Sequence, residues 1–199
     1  MKLIIASNNA HKVTEIRQIL GGYFEEMVTL KEAGITVDVL EDGDTFEKNA
    51  VKKAEEILAV SGFDAALADD SGLCVDALGG APGVYSARFA GEGHNDAENN
   101  AKLMKVMEGV PREKRTCRFM TSAALARKGQ KTVTATGSVE GILLTEARGS
   151  NGFGYDPYFY YEPFKKSFAE LDASEKNSVS HRRAAMDKLK ALLEEEKTK

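Results

Sequence analysis

The spacing of apolar residues predicts that the chain begins with a strand and a helix. Residues 2–6 form a mostly apolar run, which is typical of a short buried strand. Apolar residues then recur three or four positions apart until Gly21-Gly22, where two glycines favour the end of a helix. The apolar stripe of this helix consists of Val13, Ile16, Ile19 and Leu20.

A second helix is predicted over residues 45–60, followed by a second strand over residues 65–68. Asp44 and Glu47 have the spacing of a capping box, and Ser61-Gly62 favours the end of the helix. The apolar stripe of this helix consists of Phe46, Ala50, Ala54, Ile57 and Leu58.

The second half of the chain has the pattern of long strands and one closing helix. Residues 115–145 are rich in Thr and Val and alternate in polarity around Lys128-Gly129-Gln130, which predicts a long hairpin. A helix from about Ser180 has the stripe Ala185, Leu189, Leu192 and Leu193. Together these elements predict an α/β fold with a mixed sheet flanked by helices, in one domain over residues 1–199. We expect a cleft between its parts.

Composition narrows the class of protein. The 199 residues are 42% hydrophobic and 29% charged, which is typical of a soluble globular protein, and the short apolar runs predict neither a membrane-spanning helix nor a secretory signal. A net charge of −4 argues against a general nucleic-acid binder. Cys74 and Cys117 lack metal-ligand spacing, so we expect buried, reduced thiols and a cytoplasmic protein.

The stretch SNNAHKVTE at residues 7–15 predicts an anion site. It places Lys12 in the first turn of the first helix, where the free N–H groups and the helix dipole are already positive. A bound phosphate would compensate this charge. The alternative is that Asn9 only caps the helix and Lys12 pairs with Glu15.

Two acidic segments predict a metal site. Asp69 and Asp70 follow the apolar run 65–68, and alternation along a strand predicts that they point to opposite faces, so that one of them enters a given site. The alternative is a simple acidic turn. Residues 40–49 contain Glu41, Asp42, Asp44 and Glu47, of which Asp44 and Glu47 suit a helix cap, whereas Glu41 has no such role. Glu41 would share magnesium with an aspartate and phosphate oxygens.

The C-terminal half adds an aromatic loop and a basic cluster. Residues 148–159 alternate glycines with aromatic residues, so that Phe153 or Tyr155 offers a flat face to a nucleobase, although an ordinary core-plugging loop is the alternative. Residues 174–183 place Lys176, His181, Arg182 and Arg183 near a helix start. Cations, carboxylates and a flat aromatic side chain together predict a nucleoside phosphate site.

Five of these segments resemble, in order and spacing, the motifs of the inosine triphosphate pyrophosphatase family: SNNAHKVTE, LEDGDTFEKNA, LADDSGLCVDALGGAPGVYSARFAG, GFGYDPYF and EKNSVSHRRAA. The resemblance implies Mg²⁺-dependent cleavage of ITP, dITP or XTP between the α and β phosphates, giving the monophosphate and pyrophosphate. It also implies a long twisted mixed sheet, two lobes around a central cleft and a homodimer. Ser7-Asn8 replaces the Thr-Gly that is frequent in the family.

The resemblance also implies roles for individual residues. Asp70 and Lys12 would be catalytic, with Asp70 accepting a proton, and Glu41 and Asp70 would bind the metal. The phosphates would be bound by Ser7, Asn8, Asn9, Ala10, His11, Lys12 and Ser71. The base and sugar would be surrounded by Phe153, Gly154, Tyr155, Asp156, Lys176, His181 and Arg182. Tyr85 and Arg88 are candidate interface residues of the dimer.

Two other functions are compatible with the residues. A Maf-like pyrophosphatase would use a related fold on modified pyrimidine nucleotides and would prefer dTTP or UTP to ITP. A nucleotide sensor would bind the same ligand without turnover. Selectivity for purines with an oxygen at position 6 would come from hydrogen-bond donors near His181-Arg182.

Overall fold

The computed structural model describes residues 1–93 and 95–197, which contain one seven-stranded mixed sheet and five α-helices. The sheet order is β2-β1-β3-β4-β5-β6-β7. β1 pairs in parallel with β2 and β3, and β6 pairs antiparallel with β5 and β7. The strands are β1 Lys2–Ile5, β2 Glu26–Thr29, β3 Ala65–Val75, β4 Thr116–Arg127, β5 Val133–Leu143, β6 Phe159–Tyr161 and β7 Lys166–Ser167. The helices are α1 Ala10–Leu20, α2 Phe46–Ser61, α3 Asp96–Val106, α4 Ala173–Val179 and α5 His181–Lys197. The predicted α/β class is confirmed.

The chain divides into two compact units. Unit 1 comprises Met1–Asp70, Thr121–Gly137 and His181–Lys199, and unit 2 comprises Ser71–Met120 and Ser138–Ser180. Among residues 1–93 and 95–197, no helix is long and apolar enough to cross a membrane. Cys74 and Cys117 are free and buried, as predicted.

Unit 1 has an apolar cluster on each face of its strands, because side chains alternate along each strand. Leu3 and Ile5 of β1 lie in one cluster, whereas Ile4 lies in the other. The first cluster is completed by apolar residues of α1 and α5, and the second by apolar residues of α2. Unit 1 is therefore a helix–sheet–helix sandwich around β1, β3 and β4.

Unit 2 is organised around aromatic side chains. The ring centroid of Phe159 lies 4.5 Å from that of Phe119 and 4.6 Å from that of Phe168. Leu103 of α3 and Met107, which follows that helix, pack in the same cluster. Much of unit 2 consists of short strands and turns, so the aromatic residues supply much of its buried apolar surface.

The structure corrects three details of the predicted elements. Thr45, and not Asp44, caps α2 by accepting a hydrogen bond from the Lys48 N–H at 3.2 Å, while Asp44 forms an ion pair with Lys48. Leu192 is 38% exposed and does not belong to the buried side of α5. β3 does not end before Asp69 but continues to Val75.

The continuation of β3 has a steric reason. Ser71-Gly72 has the composition of a turn, yet Gly72 lies inside the strand. A Cβ atom at Gly72 would collide with the carbonyl oxygen of Gly83 and with Oγ of Ser86. The glycine is thus required by the close approach of residues 83–86, and not by a turn.

A second close approach joins β5 to the start of α5 within unit 1. A Cβ atom at Gly137 would collide with the carbonyl oxygen of His181 and the backbone nitrogen of Ala185. Both obstacles are backbone atoms, which cannot rotate away. The first turn of α5 therefore rests directly on the β5 backbone.

We predict that Gly137→Ala destabilises the protein by about 2 kcal/mol, because overpacking a close contact costs typically 1–3 kcal/mol. Gly93→Ala is the matched control, since a Cβ atom at Gly93 meets nothing within 4 Å. Urea denaturation of the two variants and the wild type measures the difference. An unchanged midpoint for Gly137→Ala would show that the two elements separate freely.

Candidate functional site

β3 carries two buried aspartates near its centre. Asp69 and Asp70 are 1% and 5% exposed. Asp69 contacts Lys12 of α1 and Arg182 of α5, whereas Asp70 contacts Asn49 of α2. The predicted opposite orientation of the two carboxylates is therefore confirmed, and each one meets the helices that cover its own face of the sheet.

Asp69 is the centre of a buried ion-pair network. Its Oδ2 accepts hydrogen bonds from Nε and Nη2 of Arg182 at 3.1 and 2.9 Å and lies 3.3 Å from Nζ of Lys12. Arg182 is fully buried, and its Nη1 also donates to Oε2 of Glu15 at 2.5 Å. Burial acts to raise the pKa of Asp69, but the charges of Lys12 and Arg182 outweigh it and hold this pKa well below its usual range.

The other carboxylate oxygen of Asp69 has no partner of this kind. Among the described residues, no hydrogen-bond partner reaches the buried Oδ1 of Asp69. A buried charged oxygen without a partner is costly. Asp69 is thus held in place by one oxygen, with the other available to a further positive group or donor.

Asp70 has the opposite electrostatic environment. Its Oδ2 accepts a hydrogen bond from Nδ2 of Asn49 at 2.9 Å, and its backbone carbonyl accepts one from Thr121 Oγ1 at 3.0 Å. Burial raises the pKa of Asp70 above its ordinary value, even though Lys12, Asn49 and Lys53 act to lower it. Asp69 adds only a smaller increase, so burial is the main cause of the raised pKa.

Lys53 of α2 connects Glu41 with the two aspartates. Its Nζ forms an ion pair with Oε1 of Glu41. Burial, together with the nearby charge of Lys12, lowers the pKa of Lys53, while Asp69 and Asp70 act to raise it. Two ammonium groups thus lie among carboxylates in unit 1, and the predicted residues Lys12, Glu41 and Asp70 belong to one electrostatic cluster.

The donor set of this cluster fits magnesium better than zinc. Glu41 and Asp70 have carboxylate oxygens of the kind that Mg²⁺ accepts from one or two protein residues, while phosphate and water oxygens complete its coordination shell. In the part of the chain that the structure describes, no three His, Cys, Asp or Glu side chains group as a closed metal site would require.

In the loop before α1, the side chain of Asn9 already binds the free N–H groups of the helix N-terminus. Oδ1 of Asn9 accepts hydrogen bonds from the backbone N–H groups of His11 and Lys12 at 3.0 and 3.2 Å, and Oγ of Ser7 accepts one from the Asn9 N–H at 3.2 Å. The Asn9 cap of the alternative prediction is confirmed, but the ion pairs differ from it, because Lys12 pairs with Asp69 and Glu15 pairs with Arg182. An anion that binds these two N–H groups must displace the Asn9 side chain.

The aromatic loop and Lys176 come together within unit 2. Oδ2 of Asp156 accepts hydrogen bonds from Nζ of Lys176 at 2.7 Å and from the Phe153 N–H at 2.9 Å. Nζ of Lys176 also lies 4.7 Å from the centroid of the Phe153 ring. The charged pair is buried, with Lys176 6% and Asp156 2% exposed, so the loop is built around one ion pair.

Four predicted site residues have surroundings that the sequence did not indicate. Tyr155 is 5% exposed, and its hydroxyl donates to the carbonyl of Ser86 at 2.7 Å, so it belongs to the core, whereas Phe153 is half-buried. Lys176 lies in α4 and not at the start of α5, where His181 is buried. Arg182 directs its guanidinium to carboxylates, and a contact with a base would require it to leave them.

Comparison with known proteins identifies the family. The family profile described as Ham1 family matches residues 3–192. This chain belongs to the Ham1 family. A Ham1 protein of Coxiella burnetii is 37% identical with a TM-score of 0.87, over 98% of this chain and 99% of that one. A Staphylococcus aureus Ham1 protein has a TM-score of 0.85 at 37% identity, over 98% and 100% of the two chains.

Curated relatives of this Ham1 chain have similar lengths. The "dITP/XTP pyrophosphatase" of Desulforamulus reducens is 50% identical over 193 residues, which are 97% of this chain and 96% of the relative. The protein of the same name from Clostridium perfringens is 49% identical over 195 residues, 95% of each chain. The family resemblance inferred from the five motifs is confirmed.

The Ham1 chain contains three site residues that sequence analysis missed: Asn49, Lys53 and Glu15. Asn49 and Lys53 occupy the positions beside Ala50 and Ala54 on the buried stripe of α2. Glu15 lies in the same way beside Ile16 of α1. A polar side chain at a helix position that faces the core is the signal that could have identified these three residues.

We predict that Arg182→Met lowers the free energy of unfolding by about 3–5 kcal/mol, because the buried carboxylates of Asp69 and Glu15 would both lose the guanidinium that they share. Arg183→Ala is the control in the neighbouring position. Arg183 forms an exposed ion pair with Asp187, and such pairs contribute about 0.3–0.5 kcal/mol. Thermal unfolding of both variants compares them, and equal losses would exclude a structural role of the Arg182 network.

Proposed function

We propose that this protein hydrolyses noncanonical purine nucleoside triphosphates, namely dITP, XTP and ITP, to the monophosphate and pyrophosphate. The observation that carries the proposal is the pair of adjacent buried aspartates in β3, of which Asp69 contacts Arg182 and Lys12 while Asp70 accepts a hydrogen bond from Asn49. These surroundings move the two pKa values in opposite directions. Such pairs divide the roles of a permanent charge and a proton acceptor. Relatives of nearly equal length that are named for this activity support the same conclusion.

Asp70 is the proposed proton acceptor. Its raised pKa makes it a stronger base than an exposed aspartate, and its carboxylate is oriented by the hydrogen bond from Asn49. It would accept the proton of the water whose oxygen attacks phosphorus, while the P–O bond that joins the α and β phosphates breaks and pyrophosphate leaves. Asp69 stays ionised and fixes Lys12, so that the ammonium group keeps its position before the substrate arrives.

Glu41 and Asp70 are the proposed ligands of Mg²⁺. When bound, magnesium supplies positive charge to phosphate oxygens and lowers the pKa of water. Lys12 and Lys53 add two further positive charges for the triphosphate and the departing pyrophosphate. The loop residues Ser7, Asn8, Asn9, Ala10 and His11, together with Ser71, are proposed to bind the phosphates.

The unit 2 group is proposed to bind the nucleoside. The Phe153 ring would stack on the base, and the ion pair of Asp156 with Lys176 would supply polar contacts beside it. Gly154 and His181 are further proposed contacts. The guanidinium of Arg182 binds Asp69 within unit 1, and it is not our proposed donor to the base.

We expect pyrophosphate release from dITP, XTP and ITP to exceed that from ATP, GTP, dTTP and UTP, and to require Mg²⁺. Asp70→Asn should lower kcat by about 100-fold or more, since loss of a positioned proton acceptor costs typically 10²–10⁴-fold. Asp44→Asn, which removes an exposed carboxylate paired with Lys48, is the matched control.

The outcomes separate the three candidate functions. Preference for dTTP or UTP would favour a Maf-like pyrophosphatase. Binding of dITP without turnover by the wild type would favour a nucleotide sensor. Full activity of Asp70→Asn would overturn the assignment of the proton acceptor while leaving the substrate class in place.

We also propose that the protein is a cytoplasmic homodimer. Tyr85 is 57% exposed, with the Arg88 guanidinium 5.2 Å from the centroid of its ring, and exposed aromatic and arginine side chains are enriched at interfaces. Light scattering during size-exclusion chromatography should give twice the mass of the 21.6 kDa chain. A monomeric mass at micromolar concentration would contradict the proposal.

A further inference from the structure

Two side chains of α3, one helical turn apart, bind both polar backbone groups of a single residue. Oδ2 of Asp96 accepts a hydrogen bond from the Gly154 N–H at 2.8 Å, and Nδ2 of Asn100 donates to the Gly154 carbonyl at 2.8 Å. Residues four positions apart lie on the same face of a helix. α3 therefore fixes Gly154 at its donor and at its acceptor.

Helix capping does not account for Asp96. Oδ1 of Asn95 already caps α3 by accepting hydrogen bonds from the N–H groups of Ala97 and Glu98 at 2.9 and 3.2 Å. Glu98 in turn accepts a hydrogen bond from Nδ2 of Asn95 at 3.1 Å. The exposed carboxylate of Asp96 is instead directed to a residue 58 positions later in the chain.

Core stability does not account for Asn100 either. Its Oδ1 is buried, and no hydrogen-bond partner reaches it among the described residues. A buried acceptor without a partner opposes folding. The side chain is therefore best explained by its one bond to Gly154, which is a positional contact.

Gly154 lies directly between the residues of the proposed base site. The peptide that joins Phe153 to Gly154 contains the N–H group held by Asp96, and the Phe153 N–H is itself held by Asp156 at 2.9 Å. The backbone of Phe153 is thus fixed on both sides. The carbonyl held by Asn100 precedes the buried Tyr155, which anchors the other end of the loop.

We infer that Asp96 and Asn100 are positioning residues that determine where the Phe153 ring meets the nucleobase. This inference rests on the proposed function, since it assigns the base to Phe153. The phosphate chemistry uses other residues. Loss of either contact should therefore weaken binding of the purine and its discrimination, and should affect the chemical step much less.

Four variants test the inference through the chemistry of each contact. Asp96→Asn keeps an oxygen that accepts from the Gly154 N–H, whereas Asp96→Ala removes it. Asn100→Asp keeps the size of the side chain but loses the donor, and Asn100→Ala removes the side chain. Steady-state kinetics with dITP and dATP in the presence of Mg²⁺ give kcat and KM for each variant.

We expect KM for dITP to rise about 10-fold for Asp96→Ala, Asn100→Ala and Asn100→Asp, because binding of the purine must then order a loop that one hydrogen bond, worth about 1 kcal/mol, had held in place. Asp96→Asn should stay within about twofold of the wild type, and kcat should change by less than about threefold in all four. The ratio of kcat/KM between dITP and dATP should fall in the first three variants.

Glu98→Ala is the matched control, because Glu98 lies in the same helical turn and its carboxylate accepts a hydrogen bond from Asn95 of the helix cap. A purely helix-stabilising role of Asp96 would make Asp96→Asn and Asp96→Ala lose equal thermal stability with unchanged KM, and it would overturn the inference. KM values within about twofold of the wild type in all variants would do the same while the proposed function stands. A wild-type protein that hydrolyses none of the three purine triphosphates would overturn both proposals.

Discussion

The buried ion pairs of Asp69 are the constraint on which the candidate site depends. An aspartate in the middle of a strand, covered by two helices, is stable only with compensating positive charge. Arg182 of α5 and Lys12 of α1 supply it, and Glu15 completes the coordination of the arginine. The same contacts join the first helix of the chain to the last one, so the network both stabilises unit 1 and positions a lysine of the proposed phosphate site.

Asp70 differs from Asp69 because it lies on the other face of the same strand. Its carboxylate accepts a hydrogen bond from the neutral side chain of Asn49, and the charges of Lys12 and Lys53 act to lower its pKa against the effect of burial. The fold thus gives two neighbouring residues of identical chemistry different proton affinities. The difference between the two pKa values therefore depends on the helices on both faces of β3.

Much of this architecture was predictable from the sequence, and the exceptions have physical reasons. The alternation of apolar residues gave the strand and helix pattern, and the Asn9 cap and the opposite orientation of the aspartates followed from local geometry. The extent of β3 was missed because Ser71-Gly72 has the composition of a turn. The glycine is instead required by the close approach of Ser86, which is distant in the sequence. The partners of Arg182 were missed for the same reason, since Glu15 lies 167 residues away.

The alternation of side chains along β3 also constrains how this segment changes during evolution. A strand has a period of two, so the insertion or deletion of one residue between Leu67 and Asp69 would exchange the two carboxylates between faces. Asp69, which pairs with Arg182, would then face Asn49, and Asp70, which accepts a hydrogen bond from Asn49, would face the arginine. Substitutions in the apolar run before the aspartates are compatible with the site, whereas changes in its length are not.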